Sequence, residues 1–108
     1  MNEIAFTLRE FYKFNPPIFS GETDPLIAED WLEQITQILD CMLAEDETVR
    51  ILLATFQLKG LAKLWWKSQK NTKVGVGMKW KAFEELFLGQ YFPLIDRQKR
   101  KQEFMELK

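Results

Sequence analysis

The stretch LAKLWWKSQK, residues 61–70, sets two adjacent tryptophans, Trp65 and Trp66, among Lys63, Lys67 and Lys70. Large rings beside positive charge can stack on the bases of a single-stranded nucleic acid while the lysines meet its phosphates. Trp80 lies downstream, and Arg97, Lys99, Arg100 and Lys101 form a second basic cluster, a weak non-specific RNA candidate. A stacking platform, though, needs rings and charges on one surface. At ~100° per residue on a helix, the tryptophans fall on an apolar arc with Leu61, Ala62 and Leu64, and the three lysines gather opposite. The pI of ≈ 5.5 is also far below that of typical nucleic-acid-binding domains. The tryptophans therefore read as core, and RNA is expected to bind only weakly or through regions outside this chain.

Other chemistries have little to stand on. The chain has no histidine and a single cysteine, Cys41. It thus lacks the most frequent general base and metal ligand, and a zinc site or an internal disulfide is not expected. Gly75 and Gly77, in KVGVGMK, lack the third glycine of a dinucleotide-binding loop. No apolar run approaches the ~18 residues of a membrane span, and MNEIAFTLRE does not resemble a secretory signal. The expectation is a cytoplasmic, non-enzymatic domain with no cofactor, no metal and no membrane partner.

The chain has 108 residues, 46% of them hydrophobic and 14% aromatic, enough for one small core. Residues 1–23 read as an extended N-terminal arm, since Pro16 and Pro17 disfavour helix. Its apolar side chains, Phe11, Tyr12, Phe14, Ile18 and Phe19, should pack on the body or border a peptide-binding groove. Residues 24–108 read as an all-α bundle of about five helices. Asp24 and Pro25 suit the start of the first, with Ala28, Trp31, Leu32, Ile35, Leu39 and Met42 in one stripe. Asp46 starts the second, with Val49, Leu52, Leu53 and Phe56 inward and Gly60 placed to end it. The third holds Trp65 and Trp66. The fourth carries Trp80, Phe83, Phe87 and Tyr91, stops at Pro93, and contains Gly89, a signal of close helix approach. LIDRQKRKQEFMELK reads as a fifth, still running at Lys108 as if continued in a longer protein.

These landmarks form an ordered set: Phe19-x-Gly21-x-x-Asp24-Pro25, Trp31-Leu32, Leu58-x-Gly60-x-Ala62-x-x-Trp65-Trp66, Trp80-x-x-Phe83, Phe87-x-x-x-Tyr91-Phe92-Pro93 and Phe104. The set resembles the retrotransposon Gag family, in particular the capsid region of plant gypsy-type elements, from about Phe14 to Leu107. The resemblance implies a capsid N-terminal lobe, whose relatives pack side by side into shells enclosing the element's RNA. It also implies kinship with domesticated Gag proteins such as the neuronal activity-regulated cytoskeleton-associated protein, whose similar lobe binds short peptides in a groove. The family often has Ser or Thr as the cap just before the position of Trp80, where this chain has Lys79. The second, dimerising lobe and the zinc knuckle usual in the family are absent from these 108 residues.

The charge distribution has two readings: the two ends of the chain fold against each other and neutralise, or copies associate with opposite charges facing. Residues 1–48 hold 2 basic and 11 acidic residues, and residues 49–108 hold 13 basic and 5 acidic, so the net charge of −1 conceals two opposed halves. Lys63, Lys67 and Lys70 of one copy could face Glu29, Asp30 and Glu33 of the next. Exposed ion pairs are worth only ~0–1 kcal/mol each, so this fragment alone should be a monomer when dilute. Two functions are carried forward: a self-assembling capsid lobe, and a peptide-binding module using a groove beside the arm.

Overall fold

In a computed structural model, which describes residues 3–72 and 77–93, five α-helices pack around one core. They are α1 (Glu3–Tyr12), α2 (Pro25–Cys41), α3 (Glu47–Phe56), α4 (Gly60–Thr72) and α5 (Trp80–Tyr91). No strand occurs among the described residues; Phe19 and Leu58 form one isolated parallel bridge. The expected helix in LIDRQKRKQEFMELK lies outside the described residues.

The first correction concerns the N-terminus. Residues 3–12 are helical, not extended. Ile4, Leu8 and Phe11 recur at i, i+4 and i+7, a helical stripe that the later prolines do not disturb. Phe11 is fully buried and Leu8 packs on the core. The helix ends where Asn15 takes a left-handed φ of 52°, and only the following stretch is extended.

That stretch is held at both its backbone and its rings. Pro16 and Pro17 have no N–H to satisfy, but their carbonyls still need donors. The Gln57 side-chain amide Nε2 donates to the Pro16 oxygen at 2.9 Å and to the Pro17 oxygen at 3.3 Å. Trp31 Nε1 donates to the Pro17 oxygen at 2.9 Å. The Phe19 N–H donates to the Gln57 oxygen and the Lys59 N–H to the Phe19 oxygen, both at 2.9 Å. The Phe19 ring, fully buried, then sits 5.8 Å from Trp31, 5.2 Å from Phe87 and 4.8 Å from Tyr91.

Two glycines permit this crossing. Gly21 has φ +96°, and a Cβ there would come within 3.2 Å of Leu61 Cβ and 3.3 Å of the Ala62 nitrogen. Gly60 has φ +53° and faces the Ser20 carbonyl. It opens α4 and does not end α3, which stops at Phe56.

Local signals at α2 and α3 agree with the packing. Asp24 accepts from the Leu26 N–H at 2.9 Å, with Pro25 leading the helix, and Asp46 accepts from the Val49 N–H at 3.1 Å. Within α3 the inward face is rotated from the expected one: Ile51, Leu53 and Ala54 are buried, whereas Phe56 is 39% exposed. Gln57 and Leu58, which must reach the Phe19 bridge, set that face, and Phe56 lies across the helix from them.

Helix α4 also departs from its expected pattern. Ala62 is buried, but Leu61 and Leu64 are 70% and 62% exposed, so the inward arc is narrower than the hydrophobic one. Trp65 and Trp66 are half-buried, and their rings meet one helix at two levels: Trp65 at Phe87 and Tyr91, Trp66 at Phe83. Their ~100° offset lets them straddle α5. Trp31, Phe83 and Phe87 are buried, Trp80 nearly so, and Tyr91 packs partly against them. Gly89 is exposed with no heavy atom within 4 Å of a built Cβ, so no close helix approach explains it.

Two stability measurements follow. Gln57→Leu keeps the volume but leaves the Pro16 carbonyl unpaired; urea unfolding should show a loss of about 1–3 kcal/mol, with faster amide exchange at Phe19 and Lys59. Gly89→Ala, unobstructed in a helix interior, should raise stability by up to ~1 kcal/mol, read from the same midpoint.

Candidate functional site

The charged residues singled out by the sequence take up two separate faces. Glu29, Asp30 and Glu33 are exposed on α2, with Asp30 Oδ2 accepting from Gln34 Nε2 at 2.6 Å. Lys63 and Lys67 are exposed on α4, and the Lys70 side chain lies outside what the structure describes. Among the described residues no ion pair joins the two faces; the pairs present are Lys13–Glu10, Arg50–Asp40 and Lys79–Glu47. Arg50–Asp40 and Lys79–Glu47 do join the basic half of the chain to the acidic half, whereas Glu29, Asp30, Glu33, Lys63 and Lys67 make no ion pair among the described residues. Arg97, Lys99, Arg100 and Lys101 lie outside the described residues.

The acidic face borders a groove. Between α2 and α5 an open hollow of ≈ 290 Å³ has Leu32, Thr36 and Leu88 at its base and Glu29, Glu33 and Glu84 along its edges. Among the described residues, no basic one lines it.

The N-terminal aromatics divide. Phe11 and Phe19 are fully buried, so they are core and cannot line a groove. Tyr12, Phe14 and Ile18 are 47%, 46% and 58% exposed. The tryptophans of α4 offer no open stacking platform, because both are turned partly onto α5 while Lys63 and Lys67 are exposed.

A polar cluster that sequence reading missed joins the other end of α2, α3 and α5. The Arg50 guanidinium donates from Nη1 to the Ala44 oxygen at 2.9 Å and pairs through Nη2 with Asp40 at 3.1 Å. It also lies 5.0 Å from the centroid of the Trp80 ring. Glu47, in the first turn of α3, accepts from the Trp80 N–H at 3.2 Å, while its other oxygen meets Lys79 Nζ at 3.2 Å. Lys79 makes no side-chain cap for α5. Glu47 therefore satisfies from another helix one of the free N–H groups at the start of α5, the Trp80 N–H, beside the N2 and N3 groups that a local Ser or Thr would serve. The missing cap before Trp80 was the signal. The Trp80 N–H first, then Lys79, holds the Glu47 carboxyl below the usual carboxylate range. An open pocket of ≈ 490 Å³ borders this cluster, but Arg50 and Glu47 both have partners, and the arrangement works as a tie between helices.

No group of three or more His, Cys, Asp or Glu side chains is placed to hold a metal among the described residues, and no helix there is long and apolar enough to cross a membrane. Burial first, and the Glu22 carboxylate second, push the Tyr91 phenol upward.

Comparison with protein families finds a match over residues 13–92 to the model described as retrotransposon-derived protein PEG10, N-terminal capsid-like domain. Comparisons with curated proteins and with solved structures returned no match.

The cluster has a defined pH signature. A carboxyl whose folded pKa is lowered contributes stability that is present above its unfolded pKa, near 4.5, and lost as pH falls through the folded value. Urea midpoints measured from neutral pH down to acid should therefore fall less for Glu47→Gln than for the parent, with the parent more stable at neutral pH.

Proposed function

The chain belongs to the family of retrotransposon-derived PEG10 N-terminal capsid-like domains, and from that membership we propose that it is a structural module that self-associates through its helix faces to build a capsid-like shell. The observation that carries the reading is the pair of unneutralised faces, acidic on α2 and basic on α4. Each is solvent-exposed, and neither finds its counter-charge within the same described molecule. The ordered landmarks from Phe19 to Pro93 favour a gypsy-type, plant-like element as its source.

The chemistry is that of many weak contacts. Single exposed ion pairs contribute ~0–1 kcal/mol, so two copies should part readily, and a shell forms only by multiplying contacts or by adding further regions. Reversible weak contacts suit a shell that must correct its own errors during growth. The peptide-binding alternative loses two of its five residues, since Phe11 and Phe19 belong to the core.

Sedimentation over a concentration series at low and high salt tests the reading. The expected result is a monomer when dilute and reversible association near millimolar concentration, weakened by salt as the charges are screened. A tight oligomer indifferent to salt contradicts the charge-based contact. A strict monomer at every concentration and salt contradicts self-association by this chain.

A further inference from the structure

The outward surface of α4 is not simply basic. Leu61 and Leu64, one turn apart, form an apolar ridge 70% and 62% exposed, and Lys63 and Lys67 stand along one side of it. Isolated exposed leucines are common on protein surfaces, but these two neighbour each other on one helix face. Their base is rigid as well: Leu61 Cβ would lie within 3.2 Å of a Cβ on Gly21, so the start of α4 is seated directly on the turn that follows Phe19.

The α2–α5 groove has the opposite relief and the opposite charge. Its base is apolar at Leu32 and Leu88, and Glu29, Glu33 and Glu84 edge it. The spacing also corresponds. Glu29 and Glu33 are four residues apart, as are Lys63 and Lys67, and four residues on any α-helix advance by ~6 Å. Two helices laid alongside each other can therefore satisfy both charge pairs at once while the leucine ridge enters the groove, the ordinary ridge-into-groove mode of helix packing.

We propose that the α4 ridge of one copy docks in the α2–α5 groove of a second copy, a head-to-tail contact with an apolar centre and a charged border. The inference rests on the self-association reading and specifies its geometry. Ridge and groove are different surfaces, so every contact leaves one ridge and one groove free. Repeated head to tail, such an interface closes into a ring if the rotation per copy permits, and otherwise extends as a filament. The charge border selects the partner surface, because ridge against ridge brings lysines together and groove against groove brings carboxylates together.

Cysteine trapping reads this geometry directly. In a Cys41→Ser background, chosen because Cys41 is exposed, one protein carries Leu64→Cys and another carries Gln37→Cys, beside the groove. Circular dichroism first checks that each is helical. Under mild oxidation near millimolar concentration, the mixture should give mixed dimers well above the statistical share, and a chain carrying both cysteines should give a ladder beyond the dimer. Preferential Leu64→Cys self-pairing, or a ladder that stops at the dimer, overturns the head-to-tail contact. In parallel, Lys63→Glu/Lys67→Glu and Glu29→Lys/Glu33→Lys should each weaken association about tenfold, and an equimolar mixture of the two should recover it. Association of the parent that both variants retain unchanged overturns this interface and leaves self-association standing. A parent that never associates overturns both.

Discussion

The burial of Phe19 is the constraint on which the rest of the structure depends. Its backbone bridges the α3–α4 connection, and its ring enters the space between Trp31, Phe87 and Tyr91. One residue thus links the N-terminal segment, the middle of the chain and the last described helix. The two prolines before it remove donors, the side chains of Gln57 and Trp31 satisfy the carbonyls left over, and Gly21 and Gly60 let two chain segments approach more closely than side chains would allow. Without that crossing, α2 and α5 would face a hole, and α4 would lose the turn on which it sits.

Once the core is closed in this way, charge is left to the outside. The polar groups that are drawn inward are used as ties: Glu47 caps α5 from α3, and Arg50 draws the end of α2 onto Trp80. Glu29, Asp30 and Glu33 of α2 and Lys63 and Lys67 of α4 stay in water on separate helices. An aromatic interior with charged residues segregated on the exterior fits the self-association proposed above.

Much of this was legible in the sequence because the signals were local. Asp24 with Pro25, and Asp46, begin their helices through bonds spanning two or three residues. The Phe19-x-Gly21 and Leu58-x-Gly60 motifs, recognised only as family landmarks, prove to be two sides of one crossing. What escaped was set by distant partners. Pro16 and Pro17 drew attention from the helix that ends before them. Phe56 has the right spacing for a buried stripe, but the demands of Gln57 and Leu58 turn α3 away from it. Leu61 and Leu64 belong to a wide hydrophobic arc, yet α4 is covered on one side alone. The charged faces could be named from sequence, whereas the groove between α2 and α5 could not, because it exists only after the two helices are packed.

The reach of Phe19 also governs the order in which the domain can be made. Its ring neighbours Phe87 and Tyr91 come from the far end of the described chain. During synthesis, α1, α2 and the extended stretch emerge first and can form local turns, but their aromatic side chains have no complete pocket until α5 has left the ribosome. Until then the nascent chain carries an unfinished hydrophobic surface. Closing the core therefore waits on contacts between distant parts of the sequence, and such non-local contacts form slowly and leave apolar surface open to misassociation in the interval.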